Sequence, residues 1–267
     1  MPLHLDSITQ KDQEKILDWM IGYELDKSDD IFSTVVEGER YCLMSRPLID
    51  VRTRKAIGRY VITLHEDRQQ IMSEIFDADI VLDNPVPTKL MFEQKLPQSS
   101  DANEYYIVIT GEEAHLIAET VDRYTVPGQI EGTEREVYVS IFPFAAEVFD
   151  DEDAYNRGMG GGKPEDPSEG PGLSFSTTFA CPASLFGTEE EDDEPFSLLA
   201  GEVLSVREVT FSFGSTRCDA FIAMVHTTLG DVPVVLGEGF DTEKLAAGKI
   251  IVMEGYVKVD FVKDRYE

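Results

Sequence analysis

Short stretches in which apolar and polar residues alternate make up most of this chain, and a period of two predicts strands. Ahead of them, Asp6 or Ser7 can cap one amphipathic helix of about four turns carrying Ile16, Leu17, Met20 and Ile21, with Trp19 alongside and Gly22 as its stop. The segments IFSTVVEGE, RYCLMSR, LIDV and GRYVITL are rich in β-branched and aromatic residues, and they predict a four-strand meander that turns at TRKAIG. From His65 the spacing of Ile71, Ile75 and Phe76 predicts a helix, followed by extended chain up to the Asn84-Pro85 breaker. Lys89 to Gln94 and Glu104 to Thr110 predict further strands. Residues 112–124 read two ways: Ala114, Ile117, Ala118 and Val121 have helical spacing, while Thr110-Gly111 can turn a hairpin. The β-rich surroundings favour a strand there. EREVYVSIFPFAAEVF predicts a long strand that Pro143 bends or places on an edge.

The alternation then almost stops. Residues 147–195 hold 14 acidic and 2 basic residues (Arg157, Lys163), a net of −12 within a chain total of −29. So charged a segment cannot bury enough apolar surface to offset its ordering entropy, and it reads as an acidic Gly/Pro-rich linker. Its middle differs: Leu173, Phe175, Phe179, Leu185 and Phe186 can dock on a folded domain, giving a docking segment at 173–186.

After Pro195 the pattern resumes. GEVLSVREVTFSF, FIAMVHTTLG and DVPVVLG predict three strands, FDTEKLAAG a short helix ending at Gly248, and KIIVMEGYVKVDFV one long strand or two. Strand, strand, strand, helix, strand, with LAAGKIIVMEGYVKVDF as the most family-like part, resembles an OB-type small β-barrel. The expected class is therefore α+β and predominantly β. It comprises a β-rich N-terminal domain with an N-terminal helix (1–146), the acidic linker (147–195) and a small OB-like barrel (196–267).

Charge narrows the partners. A net of −29 with a pI near 4.3 repels phosphate backbones and anionic membranes, so neither nucleic acid nor membrane is expected, and a basic protein or peptide is. A single-strand-binding OB module would need stacking groups, for which Phe211, Phe213 and Phe221 are the candidates, but the C-terminal segment is itself net −4. Three widely spaced cysteines (Cys42, Cys181, Cys218) without CxxC indicate neither a disulfide framework nor a cysteine zinc site, which fits a reducing, cytoplasmic setting. No secretory signal is visible, and the longest uncharged run, Gly170 to Thr188, is broken by prolines and polar residues.

Candidate chemistry fails on specific positions. His4, His65, His115 and His226 stand alone, without HxH or HExxH spacing, so no metal is expected. GLSFS lacks the last glycine of a nucleophile elbow, and Cys181 has no basic neighbour to activate it. GMGGGKP departs from a phosphate loop at Arg157 and Pro164. DDEDAYNRG departs from a calcium loop at Tyr155, Asn156 and Gly162. No catalytic residue and no cofactor is expected. Against the general charge, Arg46, Arg52, Arg54, Lys55 and Arg59 gather around the TRKAIG turn. They form either a positive tip that receives an anionic group, such as the chain's own EEEDDE run at Glu189 to Glu194, or a set of salt bridges to the protein's own acidic surface. The expected function is non-enzymatic binding through an acidic surface. The alternative is an enzyme whose site assembles from scattered His and carboxylate residues.

Overall fold

A computed structural model describes residues 5–9, 13–24, 30–36, 39–66, 73–97, 99, 104–111, 114–121, 129–161, 174–183 and 195–262. Strands dominate. The first half carries helix α1 (Gln13–Glu24) and strands β1 (Asp30–Val36), β2 (Glu39–Asp50), β3 (Lys55–Glu66), β4 (Ser73–Leu82), β5 (Thr88–Lys95), β6 (Glu104–Thr110), β7 (Ala114–Thr120) and β8 (Thr133–Phe149). Then come α2 (Glu152–Gly158), β9 (Phe179–Pro182), β10 (Ser197–Phe213), β11 (Thr216–Thr227), β12 (Gly230–Leu236) and β13 (Ile250–Phe261).

The long strands β8 and β13 form the spine, pairing antiparallel from Phe149 opposite Ile250 to Val137 opposite Phe261. Two rings of strands close on this pair. At one end β13 pairs with β10, β10 with β11, β11 with β12, and β12 returns to β8 in parallel through Val234 and Ile141. At the other end β8 pairs with β5, β5 with β6, β6 with β7, and β7 returns to β13 in parallel. One face of the spine, with Val137, Val139, Ile141, Ile251, Met253, Val257, Val259 and Phe261, lies in a single apolar core that both rings share. The strands hydrogen-bond as one network, and β8 itself crosses position 146/147, where the sequence suggested a domain boundary.

The antiparallel β1–β2–β3–β4 meander packs outside the rings. A second core holds Cys42, Met44, Tyr60, Ile62, Ile80 and Leu82 from this meander. They meet Phe142 of β8, Val209, Phe211 and Phe213 of β10, and Ile16 and Met20 of α1. Phe211 and Phe213 are thus buried between layers, which removes them as surface stacking groups for a nucleic-acid strand, and Phe221 is half-buried.

Pro143 sits inside β8 beside a bulge: Glu254 pairs with Ala145 and Gly255 with Pro143, leaving Phe144 as the extra residue, so the spine tolerates a residue that donates no ladder hydrogen bond. A side chain at position 255 would have its Cβ 2.4 Å from the Pro143 Cα, so the close approach requires glycine. The Pro143 carbonyl accepts a hydrogen bond from Ser7 Oγ (2.5 Å), and the Gly237 N–H donates to the Ser7 carbonyl (2.7 Å). Residues 5–9 therefore wedge between β8 and the end of β12. Ser7 is used in this wedge, and α1 starts five residues later than a cap at Ser7 would place it and runs through Gly22.

Among the described residues, two expected helices are replaced by other structure. Residues 73–82 form β4, whose pairing with β3 outweighs the brief helical spacing of Ile71, Ile75 and Phe76; residues 67–72 lie outside the described set. FDTEKLAAG forms separate turns, with Leu245 N–H donating to Thr242 O (3.1 Å) and Lys249 N–H to Ala246 O (3.2 Å), so that Phe240 and Leu245 both reach the core. Within the expected linker, Asp151 caps α2 by accepting from Ala154 N–H at 2.7 Å, and the fully buried Tyr155 donates to Ser176 O at 2.7 Å. In the expected docking segment, β9 pairs with β10 and buries Ala180. No helix among the described residues is long and apolar enough to cross a membrane.

Candidate functional site

The five bases of the predicted tip occupy the β2–β3 hairpin, and its anchor is an acid. Asp50 ends β2 with its carboxylate folded back over the turn, accepting from Thr210 N–H (3.0 Å), Arg52 N–H (3.1 Å), Thr53 N–H (3.2 Å) and Thr53 Oγ1 (2.6 Å). Burial works to raise its pKa, but the hydrogen bonds, led by Thr210 N–H, outweigh it and hold the group below the ordinary carboxylate value. Arg52 then turns onto β10 and β11, pairing with Glu208 and Asp219 and donating from Nε to Thr210 Oγ1 (2.8 Å). Arg59 pairs with Asp260 of β13 at 2.5 Å, both groups largely shielded from solvent. Arg46 is half-buried on β2, while Arg54 and Lys55 are exposed, Arg54 with a left-handed backbone (φ 59°). Arg52 and Arg59 thus serve the salt-bridging alternative. The EEEDDE run lies outside the described residues.

The histidines do not converge. His226 of β11 lies opposite Asp231 of β12, with Nδ1 at 2.6 Å from Oδ1, on an exposed face. His115 of β7 is exposed, 3.7 Å from a Glu93 oxygen. The side chain of His65, and His4 altogether, lie outside what is described. Cys181 is half-buried on β9, and burial pushes its thiol pKa up, away from a reactive thiolate. Among the described residues no group of three or more His, Cys, Asp or Glu side chains is placed to hold a metal ion.

Acidic residues concentrate where β8 passes into α2. Glu147, Asp150, Asp151, Glu152 and Asp153 are exposed there, and Glu254 is exposed on the neighbouring strand. Lys249 pairs with Asp150 at 2.8 Å and, by hydrogen bond and charge, lowers that carboxyl's pKa.

A third polar group is buried between the spine and the meander. Lys258 of β13 is 0% exposed, Asp79 of β4 3% and Glu119 of β7 2%. Lys258 Nζ is in hydrogen-bonded contact with Asp79 Oδ1, which also accepts from Ile80 N–H at 2.7 Å. Glu119 is the register partner of Lys258 across the parallel β7–β13 ladder, and Ser140 is its partner across β8. Ser140 Oγ is buried with no hydrogen-bond partner among the described residues. Burial pushes the Glu119 pKa up to about 7, against the attraction of Lys258.

No family model, curated protein or solved structure matches this chain.

The buried cluster is the part of the structure that sequence reasoning missed. In IIVMEGYVKVDFV the inward positions are odd-numbered, so Lys258 falls on the face that alternation assigns to solvent. Glu119 and Asp79 were masked by the abundance of acids. The available signal was a lone lysine in a strongly apolar strand, to be read together with lone acids in two others.

Proposed function

We propose that this chain is a non-enzymatic binding protein whose acidic surface meets a basic protein or peptide. The observation that supports it is the disposition of charge: Arg52, Arg59, Lys95, Lys249 and Lys258 are engaged by the protein's own acids, while the β8–α2 end leaves Glu147, Glu152, Asp153 and Glu254 exposed. Opposite charge steers association, and the Debye length at physiological salt, about 8 Å, makes such binding sensitive to ionic strength. We also read the ring of β10, β11, β12, β8 and β13 as an OB-like barrel. Three antiparallel strands, a parallel return from β12 to β8 and antiparallel β8–β13 and β13–β10 pairs fit that topology, with the closing strand supplied from upstream.

The test is titration of the full chain with a Lys/Arg-rich peptide and an uncharged analogue at low and physiological salt. Binding of the basic peptide alone, weakened by salt and by combined Glu147→Gln, Glu152→Gln and Asp153→Asn substitution, supports the reading. Absence of binding at low salt, or binding indifferent to salt, overturns it.

A further inference from the structure

We infer that Lys258 and Asp79 join in an intramolecular amide bond, an isopeptide cross-link between β13 and β4, with Glu119 relaying the protons. The three side chains come from three different strands, are each at least 97% buried, and meet in a site that bulk water does not reach. Lys258 Nζ already touches Asp79 Oδ1, so the nucleophile and the carboxyl carbon are held as neighbours by the fold, the arrangement that converts a bimolecular condensation into a unimolecular one. Asp79 is fixed in place by Ile80 N–H, and the Phe142 ring lies 4.7 Å below Nζ. Arg59, another cation on the meander, is engaged by Asp260.

Lys258 has a second carboxyl group, that of Glu119, as its register neighbour besides Asp79. Glu119 lies one strand from Lys258, about 4.8 Å across the ladder. Its raised pKa lets it carry or release a proton near neutrality, which is what a relay needs. The step balances without any added reagent. A proton passes from the ammonium to the Asp79 carboxylate, leaving an amine and a carboxylic acid. The amine nitrogen attacks Cγ of Asp79 as Glu119 donates to the carbonyl oxygen and takes a proton from nitrogen. The N–C bond forms, one C–O bond of Asp79 breaks, and that oxygen leaves as water with two protons that began on nitrogen. Glu119 ends as it started, and nothing is oxidised or reduced. The driving force follows from burial: an ion pair that has lost its hydration is replaced by a neutral amide, and the water is released to solvent.

The experiment is mass spectrometry of the intact purified chain together with its tryptic peptides. The cross-link predicts a chain lighter by one water, no cleavage after Lys258, and a branched peptide joining residues 69–89 to residues 250–263. Asp79→Ala and Glu119→Gln chains are expected at their full sequence masses with separate peptides. Because the readout is covalent, it survives denaturation, and far-UV circular dichroism of the Glu119→Gln chain separates loss of the relay from loss of the fold that brings Lys258 to Asp79. Separate peptides 69–89, 250–258 and 259–263 in the wild-type digest overturn the proposal, and so does a water loss that maps elsewhere. A branched peptide in the Glu119→Gln chain overturns the relay role assigned to Glu119.

Discussion

Lys258 Nζ lies 4.7 Å from the centre of the Phe142 ring, so the one fully buried cation of the described core is bounded by an aromatic face as well as by carboxyls. This setting makes stability depend on pH through Glu119. Its folded pKa is about 7 against an ordinary 4.5, so between those values the folded state holds a proton that the unfolded state has released. The contribution is unfavourable above that window and disappears below it, so stability falls as pH rises from about 4.5 to 7. At about 1.4 kcal/mol per pKa unit the total is roughly 3 kcal/mol. Urea unfolding of the wild type at pH 5 and pH 8 measures the difference, and Glu119→Gln, which cannot ionise, should flatten it.

The cross-link predicts a separate, pH-independent offset. Asp79 and Lys258 are 179 positions apart, and closing a loop of that size in the unfolded chain raises stability by about 5 kcal/mol on the loop-entropy relation used for disulfides. Glu119→Gln keeps the Lys258–Asp79 contact but not the bond, so its denaturant midpoint should fall accordingly. A slope change without an offset would mean that no loop had been closed.

Asp50 supplies a prediction of opposite sign in pH. Its carboxylate satisfies the N–H groups of Thr210, Arg52 and Thr53 and so ties the β2–β3 hairpin to β10. Its pKa is lowered on folding, so the stability it contributes is present above the unfolded value of 3.8 and is lost as pH falls through the folded one. Asp50→Ala leaves the buried Thr210 N–H without its acceptor and should cost about 2 kcal/mol, with Asp50→Asn milder because an amide oxygen still accepts. Amide exchange at Thr210 should rise in the alanine variant before exchange in β8 or β13 does.

Strand existence was legible in the sequence wherever alternation ran over six residues or more, as in Glu104–Thr110 and the β8 and β13 stretches. What alternation cannot carry is which surface covers a strand's outer face. Lys258 and Phe142 both lie on faces opposite the shared core, and only the meander, brought there by pairing remote in sequence, turns that exterior into an interior. The segment 150–161 failed for a related reason. Its acids are a cap and an exposed face, and the apolar anchor that folds it down is Tyr155 against Phe149, with Ala154 and Met159 packed beside it, too few residues to set up a readable period. The β2–β3 turn was legible, but the use of Arg52 was not, because Glu208 and Asp219 lie more than 150 positions away.

Trp19 is the only tryptophan in the chain, which makes the docking of α1 directly observable. Its ring packs against Tyr60 at 5.9 Å and Phe213 at 6.0 Å, over the β10–β11 turn, where Gly214 has φ +62°. A Cβ at position 214 would lie 2.4 Å from Trp19 Cδ1, and the indole cannot yield by rotating a flexible tip. Gly214→Ala therefore meets two penalties, a left-handed backbone and a clash, together about 1–3 kcal/mol. The weakest partner should give way first, and that is α1, whose hold on the sheet rests on Ile16, Met20 and Trp19. The expected result is a red-shifted, more quenchable tryptophan emission at denaturant concentrations where strand signal by far-UV circular dichroism is unchanged. Coincident loss of both signals would instead mean that α1 is part of the same cooperative unit as the spine.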